Sequence, residues 1–254
     1  MKVCILAGGQ GTRLAEETDH KPKPMVEVGG LPILWHIMNI YAAANYKEFV
    51  LALGYKGAMI HDSFVNDGHA RERNKMNSAG NGNVTVMCDW KVDCVDTGLR
   101  TGTGGRLKRL ASRLKGGPFL MTYGDGVADI DIAELVRFHK KSGKLATITA
   151  VRPPARFGGL EFEGDLVTKF IEKPQIGEGW INGGFFVLEP QVLDYIEGEE
   201  TMFEREPLER LVDDRQLVAY QHDHFWQCMD TLRDVRFLNE LWEKGDAPWK
   251  IWKG

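Results

Sequence analysis

The chain has 254 residues, a formal net charge of -4, and 43% hydrophobic and 27% charged residues. That size holds one large domain or two small ones around a substantial core. The charge balance excludes a global attraction to nucleic acid or anionic membranes, so any polyanion must be gripped by a local cluster.

Four cysteines, Cys4, Cys88, Cys94 and Cys228, form no C-x-x-C pair and are read as reduced thiols. No apolar stretch reaches the length of a membrane span, and the first residues do not read as a signal peptide. A cytoplasmic protein is expected.

Val3 to Ala7 is a short apolar run bounded by glycines, as in a buried parallel strand. Pro32 opens a helix that ends near Asn45 or Tyr46. "EFVLALGY" reads as a second buried strand. "PFLMTYGDG" reads as a third, with Gly124-Asp125-Gly126 at its end. Asp131 and Glu134 form a capping box for the helix "IAELVRFHKK", closed by Gly143. "LATITAV" is a fourth strand, and "GLEFEGDLVTKFIEKP" a hairpin around Gly164-Asp165. "INGGFFVLEP" and "LVAYQHD" add strands, and Thr231 with Asp234 caps a final helix, "LRDVRFLNELWEKG". Val65 to Asp93 is polar and weakly periodic. The alternation predicts an α/β fold with a mixed, mostly parallel central sheet flanked by helices, shared by both halves of the chain.

The stretch "ILAGGQGTRL", Ile5 to Leu14, is the first chemical signal. Glycines between a strand and a helix let backbone N–H groups approach a phosphate. The dinucleotide spacing G-x-G-x-x-G fails, because Leu14 stands where the third glycine belongs, and the Walker pattern fails too. What remains is G-G-x-G-T-R, followed by Lys21-Pro22-Lys23-Pro24. Arg13 and Lys23 are two cations that could reach the same phosphates, the second held on an extended segment by prolines.

These stretches resemble the sugar-1-phosphate nucleotidylyltransferase family, in which G-G-x-G-T-R-L and a following P-K-P wrap a triphosphate. "VDTGLRTGTGGRLKRL", "TYGDGVADIDI", "INGGFFVLEP", "EPLERL", "FWQCMDTLRD" and "LWEKGDAPWK" extend the likeness from Val3 to Trp249. They narrow it to members using CTP and α-D-glucose 1-phosphate. The resemblance implies a Rossmann-like nucleotidyltransferase fold over 1–254. Its nucleotide-binding part covers about 1–130 and its sugar-binding part about 131–235, before a C-terminal helix and tail at about 236–254.

The reaction so implied is attack of a sugar-phosphate oxygen on the α-phosphorus, with pyrophosphate leaving. The nucleophile is already anionic, so the difficulty is electrostatic and Mg²⁺ is the expected remedy. Asp125, at the end of a predicted parallel strand, is one candidate ligand. The resemblance adds Asp230 as the second. It assigns Arg13 to the β- and γ-phosphates and Lys23 to the α-phosphate, so that Arg13, Lys23 and Asp125 are the catalytic candidates. Leu6, Ala7, Gly8, Gly9, Gln10, Gly11 and Thr12 would surround the nucleotide. So would the "TGTGG" loop with Thr103, Gly104 and Gly105, together with Arg106, Thr122 and Gly124. Lys173 would neutralise the sugar phosphate, Glu172 and Asn182 would take sugar hydroxyls, and Gly158 and Gly159 would allow close backbone approach.

A UTP- or dTTP-dependent enzyme of the same fold and a non-catalytic nucleotide-sugar-binding protein stay open as alternatives. The resemblance further implies a homo-oligomer, often a hexamer, although Val65 to Trp90 is shorter here than in the members compared. His222, His224 and Cys228 lack the spacing of a zinc site. Trp249 and Trp252 suggest a packing role for the tail, and "EGEETMFERE" reads as a solvated loop leading into a helix.

Overall fold

The computed structural model describes residues 1–66, 84–87, 89–153, 159–163, 166–171 and 179–252. Among them, an eight-stranded sheet runs through both halves of the chain in the order β13-β9-β12-β7-β1-β4-β6-β5. These strands are β1 (Val3–Leu6), β4 (Glu48–Leu53), β5 (Val84–Met87), β6 (Trp90–Asp96), β7 (Phe119–Tyr123), β9 (Ala146–Val151), β12 (Ile181–Leu188) and β13 (Leu217–His222), while β2 (Glu27–Val28) and β3 (Leu31–Pro32) pair with each other apart from the sheet. The pairs β1/β4, β1/β7, β4/β6 and β9/β13 are parallel. β12 runs antiparallel to both β7 and β9, and β5 antiparallel to β6. The mixed, mostly parallel sheet expected from the sequence is therefore present.

The continuous apolar runs have a simple cause. Side chains alternate across a strand, and both faces of this sheet are covered. From β1, Val3 and Ile5 enter one core with Ile33, Ile37 and Tyr41 of helix α2 (Ile33–Ala43), while Cys4 and Leu6 enter a second core with Leu107 and Phe186. β4 divides likewise: Phe49 and Leu51 face the first core, Val50 and Ala52 the second.

The caps fall where expected. Asp131 accepts from the Glu134 N–H at 2.9 Å to start α6 (Ile132–Ser142), and Gly143 ends it at φ +62°. Thr231 and Asp234 form a reciprocal capping box on α8 (Leu232–Glu243). The glycine-rich loop leads into a 3-10 turn, Thr12–Leu14, and the single-turn helix α1 (Ala15–Thr18). One expectation changes: "TGTGG" is not a loop throughout, since Gly102 N-caps α4 (Thr103–Arg109). The helices α3 (Gly57–Asn66), α5 (Ala111–Leu114) and α7 (Glu206–Asp213) complete the set among the described residues. The expected hairpin is present as β10 (Gly159–Glu163) paired with β11 (Leu166–Ile171), its turn lying outside the described residues.

The tail 244–252 returns to α2. Trp249 is fully buried and its indole N–H donates to His36 Nδ1 at 3.2 Å. It stacks on Phe225 and Trp242, which makes it a core latch. No described helix is long and apolar enough to cross a membrane.

Candidate active site

β1 lies between β4 and β7, and the chain leaves it toward β4 before returning on the other side as β7. Where strand order reverses in this way, a crevice opens at the strands' carboxyl ends. The loops after β1 and β7 meet there, tied by the Gly124 N–H donating to Leu6 O at 3.1 Å. The cleft has a volume of about 490 Å³. Its lining includes Leu6, Ala7, Gly8, Gly9, Gly11, Thr12, Arg13, Lys23, Thr103, Arg106, Gly124, Asp125 and Asp230.

At its floor the Lys23 ammonium donates to Asp125 Oδ2 at 2.7 Å and to Asp230 Oδ1 at 2.5 Å, while Arg13 donates to Asp230 Oδ2 at 2.9 Å. Lys23 sits on a 3-10 turn, Lys23–Met25, between Pro22 and Pro24, and is almost fully buried. Burial opposes its charge, but the two carboxylates outweigh burial and raise its pKa. For Asp230 the balance has the same form: burial pushes the pKa up, and Lys23 and Arg13 more than offset it, holding the carboxyl below its usual range. Lys23 and Asp230 are therefore both charged, in direct contact, in one small volume.

Asp125 and Asp230 are brought together by a ribbon that sequence reading did not find. β8 (Gly126–Ala128) pairs antiparallel with β14 (Trp226–Cys228), with Gly126 opposite Cys228. The Met229 N–H then donates to Asp125 O at 2.8 Å. Asp230 lies just before the Thr231 cap and donates its own N–H to Asp234 Oδ2 at 3.0 Å, which fixes its backbone.

Cys228 completes a triad of possible ligands with Asp125 and Asp230, the three ligand atoms within 4.8 Å of one another. Burial, then Asp125, pushes its thiol up and keeps it protonated. A hard cation would take the carboxylate oxygens and leave the thiol aside. Among the described residues, His222 joins no ligand cluster; it contacts Asp129 Oδ1 at 3.0 Å, while His224 is exposed.

Arg106 has another task besides lining the cleft. It is 4% exposed. It donates to Leu53 O, Thr97 Oγ1 and Gly98 O at 3.0, 2.6 and 2.9 Å, and to Gly8 O at 2.9 Å. It thus ties the glycine-rich loop to the ends of β4 and β6. Gly8 is needed because a Cβ there would lie 2.2 Å from this guanidinium. Gly104 and Gly105 are not among the residues lining the cleft. A Cβ at either would meet the backbone of Thr201 or Glu199 at 2.9 or 1.9 Å, so they serve helix packing. Gln10 is exposed and outside the cleft wall.

A second cleft, about 650 Å³, shares Arg13, Tyr123, Asp125 and Asp230 with the first. Thr122, Asn182, Gly183, Gly184 and Trp226 also line it. The Trp226 indole donates to Gly183 O at 2.7 Å. Gly159 opens β10, and Gly158, Glu172 and Lys173 lie outside the described residues. Sequence reading missed Tyr123 and Glu204. The first hid in an apolar strand and the second in an apparently solvated charge run.

The arrangement can hold a triphosphate and a second anion on either side of one acidic centre. Two solved structures share the fold: UDP-glucose pyrophosphorylase complexed with UDP-glucose, and HddC from Yersinia pseudotuberculosis complexed with GMP-PN. Both have TM-scores of 0.71, at 15% and 24% identity, over 96% and 95% of this chain and 98% and 99% of theirs. At these identities the likeness concerns the fold alone. In sequence, the chain is 51% identical to the glucose-1-phosphate cytidylyltransferase of Salmonella typhi across the full length of both. The family model described as nucleotidyl transferase matches residues 2–243, nearly the whole chain, and the chain belongs to that family.

Proposed function

We propose that this protein transfers the cytidylyl group of CTP to α-D-glucose 1-phosphate, giving CDP-glucose and pyrophosphate. The observation that carries the reading is the meeting of Lys23, Arg13, Asp125 and Asp230 at the junction of two clefts. Their positions suit an in-line displacement: triphosphate on the glycine-rich side, sugar phosphate on the β12 side.

In that displacement a P–O bond forms from the sugar phosphate to the α-phosphorus, and the bond to the β-phosphate breaks. The nucleophile needs no base near neutral pH. Lys23, a compact cation, is placed to follow charge on the α-phosphate, and exposed Arg13 to hold the leaving pyrophosphate. Backbone N–H groups of Gly8 to Thr12 would add donors.

The two carboxylates fit Mg²⁺, which takes one or two carboxylates together with phosphate oxygens. Asp125 and Asp230 would hold it, and when bound it supplies neutralisation of the phosphate charge. The pairing of the Lys23 ammonium with both carboxylates supports the reading, since it marks them as partners for positive charge.

On the sugar side, Asn182 offers an amide to hydroxyls, and Glu172 and Lys173 are assigned there by the family resemblance. Gly158 and Gly159 would let the backbone approach. The preference for CTP rests on the family resemblance and on the relative's name; Ala7, Gly8, Thr101 and Thr103 line the cleft where the base would sit. A cytoplasmic location and a homo-oligomer are what the family resemblance implies.

The test is direct. Purified protein is mixed with Mg²⁺, glucose 1-phosphate and each of CTP, UTP, dTTP and GTP, and pyrophosphate release is followed. CTP should be used best. Release with another triphosphate instead would move the assignment within the family. No release with any sugar phosphate, beside retained nucleotide binding, would favour the non-catalytic reading.

A further inference from the structure

Tyr123 is one of four residues that line both clefts. Its ring lies over Gly184, whose φ is +81° and where a Cβ would stand 2.8 Å from the ring. Its hydroxyl donates to Glu204 Oε1 at 2.5 Å. Glu204 Oε2 accepts from Thr103 Oγ1 at 2.6 Å. Thr103 opens α4 and lines the nucleotide cleft. One carboxylate therefore joins the wall of the first cleft to a side chain of the second.

Fastening residues 199–204 to the fold does not require Glu204. The Gly102 N–H donates to Glu199 O at 2.8 Å, the Gly105 N–H to Thr201 O at 3.2 Å, and Arg109 pairs with Glu199 at 2.6 Å. Asn182 is oriented by the segment on which the Tyr123 ring packs: its Oδ1 accepts from the Gly184 N–H at 2.8 Å, and Gly184 lies against that ring.

We propose that Glu204 is a positioning residue that couples the two substrate clefts, holding the Tyr123 phenol and, through the ring packed on Gly184, the backbone that orients Asn182 toward the sugar. This rests on the cytidylyltransferase reading above. It adds that sugar-phosphate recognition is controlled from the nucleotide side by a residue that touches neither substrate.

The test compares KM for glucose 1-phosphate, KM for CTP and kcat in the unmodified protein, Glu204→Ala, Glu204→Gln, Tyr123→Phe and the Glu204→Ala/Tyr123→Phe double variant. Loss of one charge-assisted bond should raise the sugar-phosphate KM about 10-fold in Glu204→Ala and in Tyr123→Phe, with CTP KM moving less than about 3-fold. Members of one network are not additive, so the double variant should be no worse than either single one. Glu204→Gln, which keeps an acceptor for the phenol, should recover most of the loss. Unchanged sugar-phosphate KM in Tyr123→Phe, or effects that multiply in the double variant, would overturn the coupling. If Glu204→Ala does not fold, Tyr123→Phe and Glu204→Gln still decide it. If the unmodified protein makes no CDP-glucose, the functional reading fails. Calorimetric titration of glucose 1-phosphate into the same variants, with CTP present, then tests the coupling on binding alone, weaker binding in Tyr123→Phe supporting it and equal binding refuting it.

Discussion

Lys23 bridges Asp125 and Asp230, residues 102 and 207 positions away in the chain, at 2.7 and 2.5 Å. One ammonium thus neutralises two half-buried carboxylates that would otherwise repel. Replacing it with methionine removes both the counter-charge and the cation proposed to face the α-phosphate. Turnover should fall about 10²- to 10³-fold, the scale seen when one donor to developing charge is removed. The variant's melting temperature should also fall, and added Mg²⁺ or Mn²⁺ should restore more of it than in the unmodified protein, because the cation takes the lysine's place between the carboxylates. Thermal melts with and without the metal measure this, and equal gains in both proteins would contradict it. Asp125→Asn and Asp230→Asn should each lose most turnover and the metal-dependent gain.

Gly105 separates a packing role from a binding one. Its substitution by alanine pushes a methyl to 1.9 Å from Glu199 O, a backbone atom that cannot swing aside. Overpacking of this sort costs about 1–3 kcal/mol. Chemical denaturation should show that loss. A Gly105→Ala protein as stable as the parent, with weakened nucleotide binding, would return the glycine to the cleft.

Trp249 anchors the tail. It is fully buried, it donates to His36, and it stacks between Phe225 and Trp242. Trp249→Ala should destabilise the fold by about 3–5 kcal/mol. Trp249→Phe keeps the stack but strands the His36 acceptor, so it should cost less yet remain measurable. Urea midpoints of the two variants provide the comparison.

His36 gives the fold an acid-side weakness. Its Nε2 meets Val28 O at 2.8 Å, so that nitrogen carries the proton, and Nδ1 accepts from Trp249. Burial is the main reason its pKa lies below the usual 6.5. Between the folded value and 6.5 the unfolded chain binds more protons, so stability rises with pH. This contribution is fully present above about pH 6.5 and is lost as pH falls through the lowered folded value. Melting temperatures from pH 7.5 down to 5.5 should decline, and His36→Gln should flatten the part of that decline closest to 6.5.

Strong local signals carried most of the elements. β1, β4 and β7 were legible because strands covered on both faces are apolar throughout, and α6 and α8 because their caps are side chains at fixed spacing. α3 and α4 were not, because "GAMIHDSFVN" has weak amphipathicity and "TGTGGR" has glycines where a helix would be expected to break. In the cleft, Arg13, Lys23 and Asp125 stood out as charges next to glycine or proline. Glu204 did not, since a carboxylate within "EGEETMFERE" looks solvated until the fold turns it toward Tyr123. Arg106 was legible as a cation beside the glycines of "TGTGG", but its four acceptors come from Leu53, Thr97, Gly98 and Gly8, which no spacing rule connects.

The sequence by itself determined the class of fold, the glycine-rich turn and the kinds of charge available for phosphates, because burial pattern, backbone freedom and charge are local properties. Only the tertiary structure decided which carboxylates share a cation and which glutamate reaches between the clefts. Those pairings depend on the β8/β14 ribbon and on the reversal of strand order between β1 and β7. They are contacts between distant segments, and their energy exists only once the intervening chain has folded.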